Sequence, residues 1–154
     1  MSDLRTLFTG FQGDLVLEGP GLEEDDGLET AVAISLFTDR RVRDGEQLPR
    51  TSLPGDVALD RRGWWGDSFP PVEGHLTGSR LWTLAREKQS EAVAERARDV
   101  ALEALRWLVD DGIARTINVT AEIVKPGVLG LLVEVVRASK PVALYRFDSF
   151  WRAS

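Results

Sequence analysis

One histidine, no cysteine and 25 carboxylates are what this sequence offers for covalent or acid–base chemistry. Without cysteine there is no thiolate nucleophile, no disulfide and no zinc–cysteine site. His75 stands in Glu73-Gly74-His75 with no catalytic partner pattern around it, and reads as a solvated loop residue. There is no Gly-x-Ser-x-Gly elbow, Walker loop or dinucleotide fingerprint, and no cofactor or metal is expected. A glycosidase needs only two carboxyls, so hydrolysis stays open at this level. Which acid would be desolvated and raised in pKa is decided by the fold. The acidic run from Glu23 to Asp26 lacks the spacing of an EF-hand loop. It reads as acids placed before a helix, where they favour the positive N-terminal end.

The most distinctive string is Asp60-Arg61-Arg62-Gly63-Trp64-Trp65-Gly66-Asp67. Its adjacent tryptophans read in three ways. They pin a long loop to the core, with Arg61 and Arg62 pairing to Asp60 and Asp67. They meet a protein partner, or they stack on sugar rings. The tripeptide Asp-Arg-Arg also occurs at Asp39-Arg40-Arg41, too short a copy to count as a repeat.

The elements that must carry these residues follow from periodicity. Asp26 is the expected N-cap of a helix over 27–37, with Leu28, Ala31, Val32 and Ser35 on one face and Ile34 and Phe37 widening it. Before it, Phe11-Gln12-Gly13 reads as a turn leading into a short strand that ends at Leu17. Residues 38–77 hold four of the seven prolines, many glycines and no sustained period, which predicts a long irregular loop. A short helix is expected from Thr77 or Gly78, burying Leu81, Trp82, Leu84 and Ala85. Ser90 is the expected N-cap of the strongest helix, 91–111, with Gly112 as its C′ residue. Val93, Ala97, Val100, Ala101, Ala104, Leu105 and Leu108 form its apolar stripe; Glu91, Glu95, Arg98, Glu103 and Arg106 form its wet face. Alternation over 113–123, the turn Lys125-Pro126-Gly127, and apolar runs over 128–137 and 142–151 predict an antiparallel meander. Helices before a sheet, not alternating with it, define an α+β fold in one domain spanning 1–154. The second strand is apolar enough to be central or covered on both faces. Phe147, Phe150 and Trp151 either close the core or leave the last strand as an edge for a partner.

Charge is unevenly placed. The acidic N-terminal segment carries the whole net charge of −6, and the remainder has equal numbers of acids and bases. That balance argues against a general nucleic-acid binder. No apolar run approaches the roughly 18 residues of a membrane span. The first residues show no signal-peptide pattern, and the lack of cysteine fits the cytosol.

Several of these strings, in order, are similar to one family. They are Gly27-Leu28-Glu29-Thr30-Ala31-Val32, Ser35-Leu36-Phe37-Thr38-Asp39-Arg40-Arg41, the Asp60–Asp67 string, Gly78-Ser79-Arg80-Leu81-Trp82, Arg86-Glu87-Lys88 and Gly127-Val128-Leu129-Gly130. Together they resemble the Mu-type phage tail baseplate protein family over about 13–151. The resemblance implies a non-enzymatic structural subunit of a contractile-tail baseplate wedge. It implies partners among other wedge proteins, extending to the tail sheath or hub, in a hetero-oligomeric particle. It places the protein in the virion tail baseplate, and in the host bacterial cytoplasm during assembly. Related wedge proteins carry a "lysozyme-like" name, and their C-terminal sheet resembles the strand-exchange module of sheath subunits. The alternatives are a tail-associated peptidoglycan-cleaving enzyme and a carbohydrate-binding module. The residues expected to carry interactions are Asp39, Arg40, Arg41, Arg61, Arg62, Trp64, Trp65 and Asp67, with roles divided between holding the loop and meeting a neighbour.

Overall fold

The computed structural model describes residues 27–46, 61–69, 75–85 and 87–148, the backbone of 149–150, and the backbone of short strands between residues 3 and 25. Those short strands are β1 (Asp3–Leu4), β2 (Thr6–Thr9), β3 (Gln12–Leu15), β4 (Leu17–Glu18), β5 (Gly21–Leu22) and β6 (Glu24–Asp25). β1 pairs with β6, β2 with β3 and β4 with β5, all antiparallel. The one strand expected here is thus part of a set of hairpins. Two-residue pairings are too short to leave a period in the sequence.

Helix α1 (Leu28–Phe37) forms where expected, but its cap differs. The N-cap residue is Gly27, at φ 78°, which has no side chain to cap with. Asp26, the expected cap, lies outside the described residues. Leu28, Val32, Ala33, Ser35 and Leu36 are buried, whereas Ile34 is exposed and does not widen the buried face. Ser35 can be buried because its hydroxyl is satisfied twice. It donates to the Ala31 carbonyl at 2.8 Å and accepts from the Trp107 indole at 3.0 Å.

Helix α2 (Glu91–Leu105) starts at Ser90, whose Oγ accepts from the Val93 amide at 3.3 Å. Ala97, Ala101 and Leu105 are fully buried; the two alanines let the helix lie close over the sheet, chiefly against its first strand. The expected single helix over 91–111 is broken at Arg106 and resumes as α3 (Trp107–Asp110). Gly112, at φ 74°, follows the cap, as expected of a C′ glycine. Between the helices, the expected short helix is a 3₁₀ turn, Leu81–Leu84, which buries Thr83 and Leu84.

The C-terminal sheet has the order β7 (Thr116–Lys125), β8 (Val128–Val136), β9 (Ala143–Phe150), antiparallel throughout. Its register puts Val119 opposite Val133 and Ala121 opposite Leu131, and Leu131 in turn opposite Phe147. Leu129, Leu131, Val133 and Val135 therefore share one face, with α1 and α2 in a common core. Each fully buried Leu or Val contributes about 1.5–3 kcal/mol. The sheet is central on β8, as expected; on the face away from Leu131 and Val133, Leu132 and Leu144 are exposed, although Val128 at its end is buried. Phe147 closes the core, edge-on to Phe37 at 5.4 Å between ring centres. The side chain of Phe150 and all of Trp151 lie outside the described residues.

Candidate interaction site

Three segments converge beside α2: 38–46 after α1, 61–69 from the long loop, and 75–85 around the 3₁₀ turn. Ser79 ties the first to the third. Its amide donates to the Thr38 carbonyl, its carbonyl accepts from the Arg40 amide, both at 2.9 Å, and its buried hydroxyl donates to the Leu36 carbonyl. The first and second segments meet where the Val42 amide donates to the Arg61 carbonyl at 3.1 Å. The third and second meet where Asp67 Oδ1 accepts from the Thr77 amide at 2.9 Å.

This arrangement brings the two Asp-Arg-Arg tripeptides together, and it redirects their charges. Arg62 pairs with Asp39 at 2.6 Å and Arg61 with Asp44 at 2.5 Å. Asp60, one of the two expected acids, lies outside the described residues, and Asp67, the other, accepts from the Thr77 amide. Segments 39–44 and 61–62 run side by side, so each arginine has an acid within reach across the gap. Arg62, at φ 41°, is the only non-glycine with positive φ among the described residues. Its guanidinium lies 4.9 Å above the ring of Trp82, a cation–π geometry that holds the side chain while the backbone turns outward.

That turn delivers Trp64 and Trp65 to the surface. Trp65 is 78% exposed and Trp64 44%, and Phe69, beyond the 3₁₀ turn Trp65–Ser68, is 84% exposed. The two indoles touch, 5.4 Å between ring centres. The Trp64 ring lies over Gly66, where any side chain would collide with it at 2.2 Å. The pinning of this loop to the core by Trp64 and Trp65 is therefore corrected. The pin is Trp82, whose indole donates to the Arg40 carbonyl at 2.9 Å.

Arg40 lies inside. Its side chain is 10% exposed and bridges Glu46 at 2.9 Å and Glu103 at 2.7 Å. The other Glu103 oxygen accepts from Arg80 at 2.6 Å. Arg41 is the opposite case, exposed on the surface beside Gly63. Burial alone would raise the Glu103 pKa, but hydrogen bonds from Arg80 and Arg40, with their charges, outweigh it and hold the carboxyl below its ordinary value. That direction suits an ion-pair anchor and is opposite to a general acid for glycoside cleavage. A groove of about 260 Å³ lies between the 3₁₀ turn and α2, bordered by Arg80, Glu87, Arg96 and Glu103. Arg80 pairs with Glu103 and Arg96 with Glu87 across it, and Asp99, also on its wall, pairs with Arg98. His75 is exposed.

The eight residues singled out from sequence thus fall into two groups. Asp39, Arg40, Arg61, Arg62 and Asp67 are engaged within the chain, whereas Arg41, Trp64 and Trp65 face outward. Sequence reasoning missed Glu103, Arg80 and Trp82 as holders of the loop and Phe69 as part of its outer face. The signal available was Arg40: an arginine following a buried helix needs a counter-charge, and Glu103 on α2 is one of few acids in reach.

A small α+β domain that spends its charged residues on displaying aromatic side chains is the kind built to assemble with other proteins. Residues 28–142 match the family described as phage protein GP46. The chain is 44% identical over 149 residues to the baseplate protein gp46 of Escherichia phage Mu, covering 97% of each chain. It is 41% identical over 151 residues to the Mu-like prophage FluMu protein gp46 of Haemophilus influenzae, covering 98% of each. The chain belongs to this Mu-type GP46 phage protein family.

Proposed function

We propose that the chain is a structural subunit of a Mu-type tail baseplate, and that Trp64, Trp65 and Phe69, with Arg41 beside them, are a face by which it meets a neighbouring tail protein. Near-full-length similarity to a protein named for the baseplate supports the first part. The observation that carries the second is the exposure of two touching indoles on a loop held from behind by Trp82 and Arg62. A held loop loses little conformational freedom on docking, which leaves more of the contact energy for affinity. In this reading the neighbours are other wedge proteins, with the sheath or hub as further contacts, and the subunit works without catalysis. No helix among the described residues is long and apolar enough to cross a membrane, and no membrane partner is invoked. Glu103 gives the lysozyme reading no support, because its pKa is moved downward.

The test is Trp64→Ala combined with Trp65→Ala. Interface tryptophans contribute roughly 2–4 kcal/mol each when buried by a partner, so the pair is expected to cost at least about 10³-fold in affinity. A folded double variant should be left out of assembled particles. Normal incorporation would refute the docking role while leaving membership of the baseplate family untouched.

A further inference from the structure

We infer that Glu103, on α2, is a positioning residue for the aromatic face, acting through Arg40 and Trp82 over a continuous set of contacts. The path begins with Glu103 Oε1 accepting from Arg40 at 2.7 Å and Oε2 from Arg80 at 2.6 Å. This clamps the segment after α1 and the start of the 3₁₀ turn to one carboxylate. Glu46 adds a second anion, 2.9 Å from Arg40 and 3.5 Å from Arg80. Arg40 passes the restraint on through its backbone, because its carbonyl accepts the Trp82 indole N–H at 2.9 Å. The face of Trp82 carries the Arg62 guanidinium at 4.9 Å, and Arg62 is locked to Asp39 at 2.6 Å. Arg62 is two residues before Trp64, at the positive-φ turn that aims the indoles outward. The contacts of Arg40 and Arg80 with Glu103, of Trp82 with Arg40 and of Arg62 with Asp39 all join segments distant in sequence.

Two features make Glu103 the controlling link. It is the point where both arginines meet a helix, so the loops are referred to a rigid element. And the Arg40 guanidinium is buried, with its Nε unpartnered, so it depends on its two acids to stay where it is. Glu103→Gln keeps the shape of the side chain, removes its charge and turns a nitrogen donor toward one guanidinium. The restraint on Trp82 then weakens, and with it the fixed presentation of Trp64 and Trp65.

This inference gives the docking face of the previous subsection its mechanism and rests on that reading for its biological meaning. Its test reads the loop in the isolated full chain and so can fail separately. The five tryptophans are replaced by fluorotryptophan, and each ¹⁹F resonance is assigned by a Trp→Phe variant. In Glu103→Gln, the resonances of Trp82, Trp64 and Trp65 are expected to shift or broaden. Trp107, about one helical turn beyond Glu103 but tied to Ser35 on α1 and outside this path, is expected to shift less than Trp64 and Trp65. Trp82→Phe keeps an aromatic face but loses the N–H, and is expected to move Trp64 and Trp65 in the same way. It decides the matter if Glu103→Gln does not fold. Trp64 and Trp65 resonances unchanged in the folded variants would overturn the inference, as would a Trp107 shift in step with them, which would mean general loosening.

Discussion

Gly78 is where the loop junction is most sensitive to a single methyl group. Its φ is 95°, a region that L-residues enter at a cost of roughly 1–2 kcal/mol. A Cβ there would lie 2.1 Å from the Thr38 carbonyl oxygen and 2.7 Å from its carbon. Both are rigid backbone atoms, so the two segments must part. Parting them breaks the Ser79-to-Thr38 and Arg40-to-Ser79 hydrogen bonds, worth about 0.5–1.5 kcal/mol each. Gly78→Ala is therefore expected to destabilise by roughly 2–5 kcal/mol, a large part of the ~5–15 kcal/mol that holds a domain together. Gly112→Ala supplies the control. That residue also has positive φ, 74°, but nothing lies within 4 Å of its would-be Cβ. It should show only the backbone cost of about 1–2 kcal/mol. Urea unfolding followed by far-UV circular dichroism gives both numbers, provided the slope is the same for the two variants. Equal midpoints for Gly78→Ala and Gly112→Ala would refute the collision argument and the close approach on which the junction depends.

The Glu103 ion pairs carry a pH signature. The folded pKa lies below the ordinary value of 4.5, so their stabilisation is complete above that value and is lost as pH falls through the lowered one. The stability gap between wild type and Glu103→Gln should be constant near neutrality and close in acid; urea midpoints measured against pH would contradict this if the gap stayed open. Because the Glu103 side chain is 41% exposed and Arg40 keeps Glu46, that gap is expected at only about 1–2 kcal/mol. Ser90→Ala removes the side-chain acceptor at the start of α2 and should cost ~1 kcal/mol by the same method. A Ser90→Ala variant as stable as wild type would show that the Ser90 carbonyl, which also accepts from the Val93 amide at 3.1 Å, suffices without the hydroxyl.

What could be read in the sequence was what repeats. The alternation around Val119 and Ala121, the apolar run of β8 and the Lys125-Pro126-Gly127 turn specified three strands and their order, because a strand buried on one face writes a period of two. α2 was legible from its stripe and its Ser90 cap. Its break at Arg106 was not, since apolar residues continue at helical spacing through Leu108 and the interruption is a matter of backbone hydrogen bonding. The candidate site was legible in composition but not in connection. The string Asp60–Asp67 stood out, yet Arg61 and Arg62 reach Asp44 and Asp39, 17 and 23 positions away. Those pairings exist only because the junction at Gly78 and Ser79 folds the segments together. Glu103 was invisible for a similar reason. A carboxylate on the wet face of a helix is ordinary, and its role comes from Arg40 and Arg80 arriving from elsewhere. Trp82 and Trp64 have the same side chain and opposite exposures in function: one ring lies under a guanidinium, the other over a glycine at the surface.

The most direct measurement is hydroxyl-radical footprinting of the full chain, free and in purified tail particles, read by mass spectrometry at individual side chains. Trp65 and Phe69 are the most exposed large apolar residues among those described, and in the free protein they should be oxidised strongly. In the particle, Trp64, Trp65 and Phe69 should become protected together, while exposed Leu144 on the sheet serves as an independent comparison. Oxidation of the three aromatics at the same rate in the particle as in the free chain would contradict the assignment of this loop as a docking face.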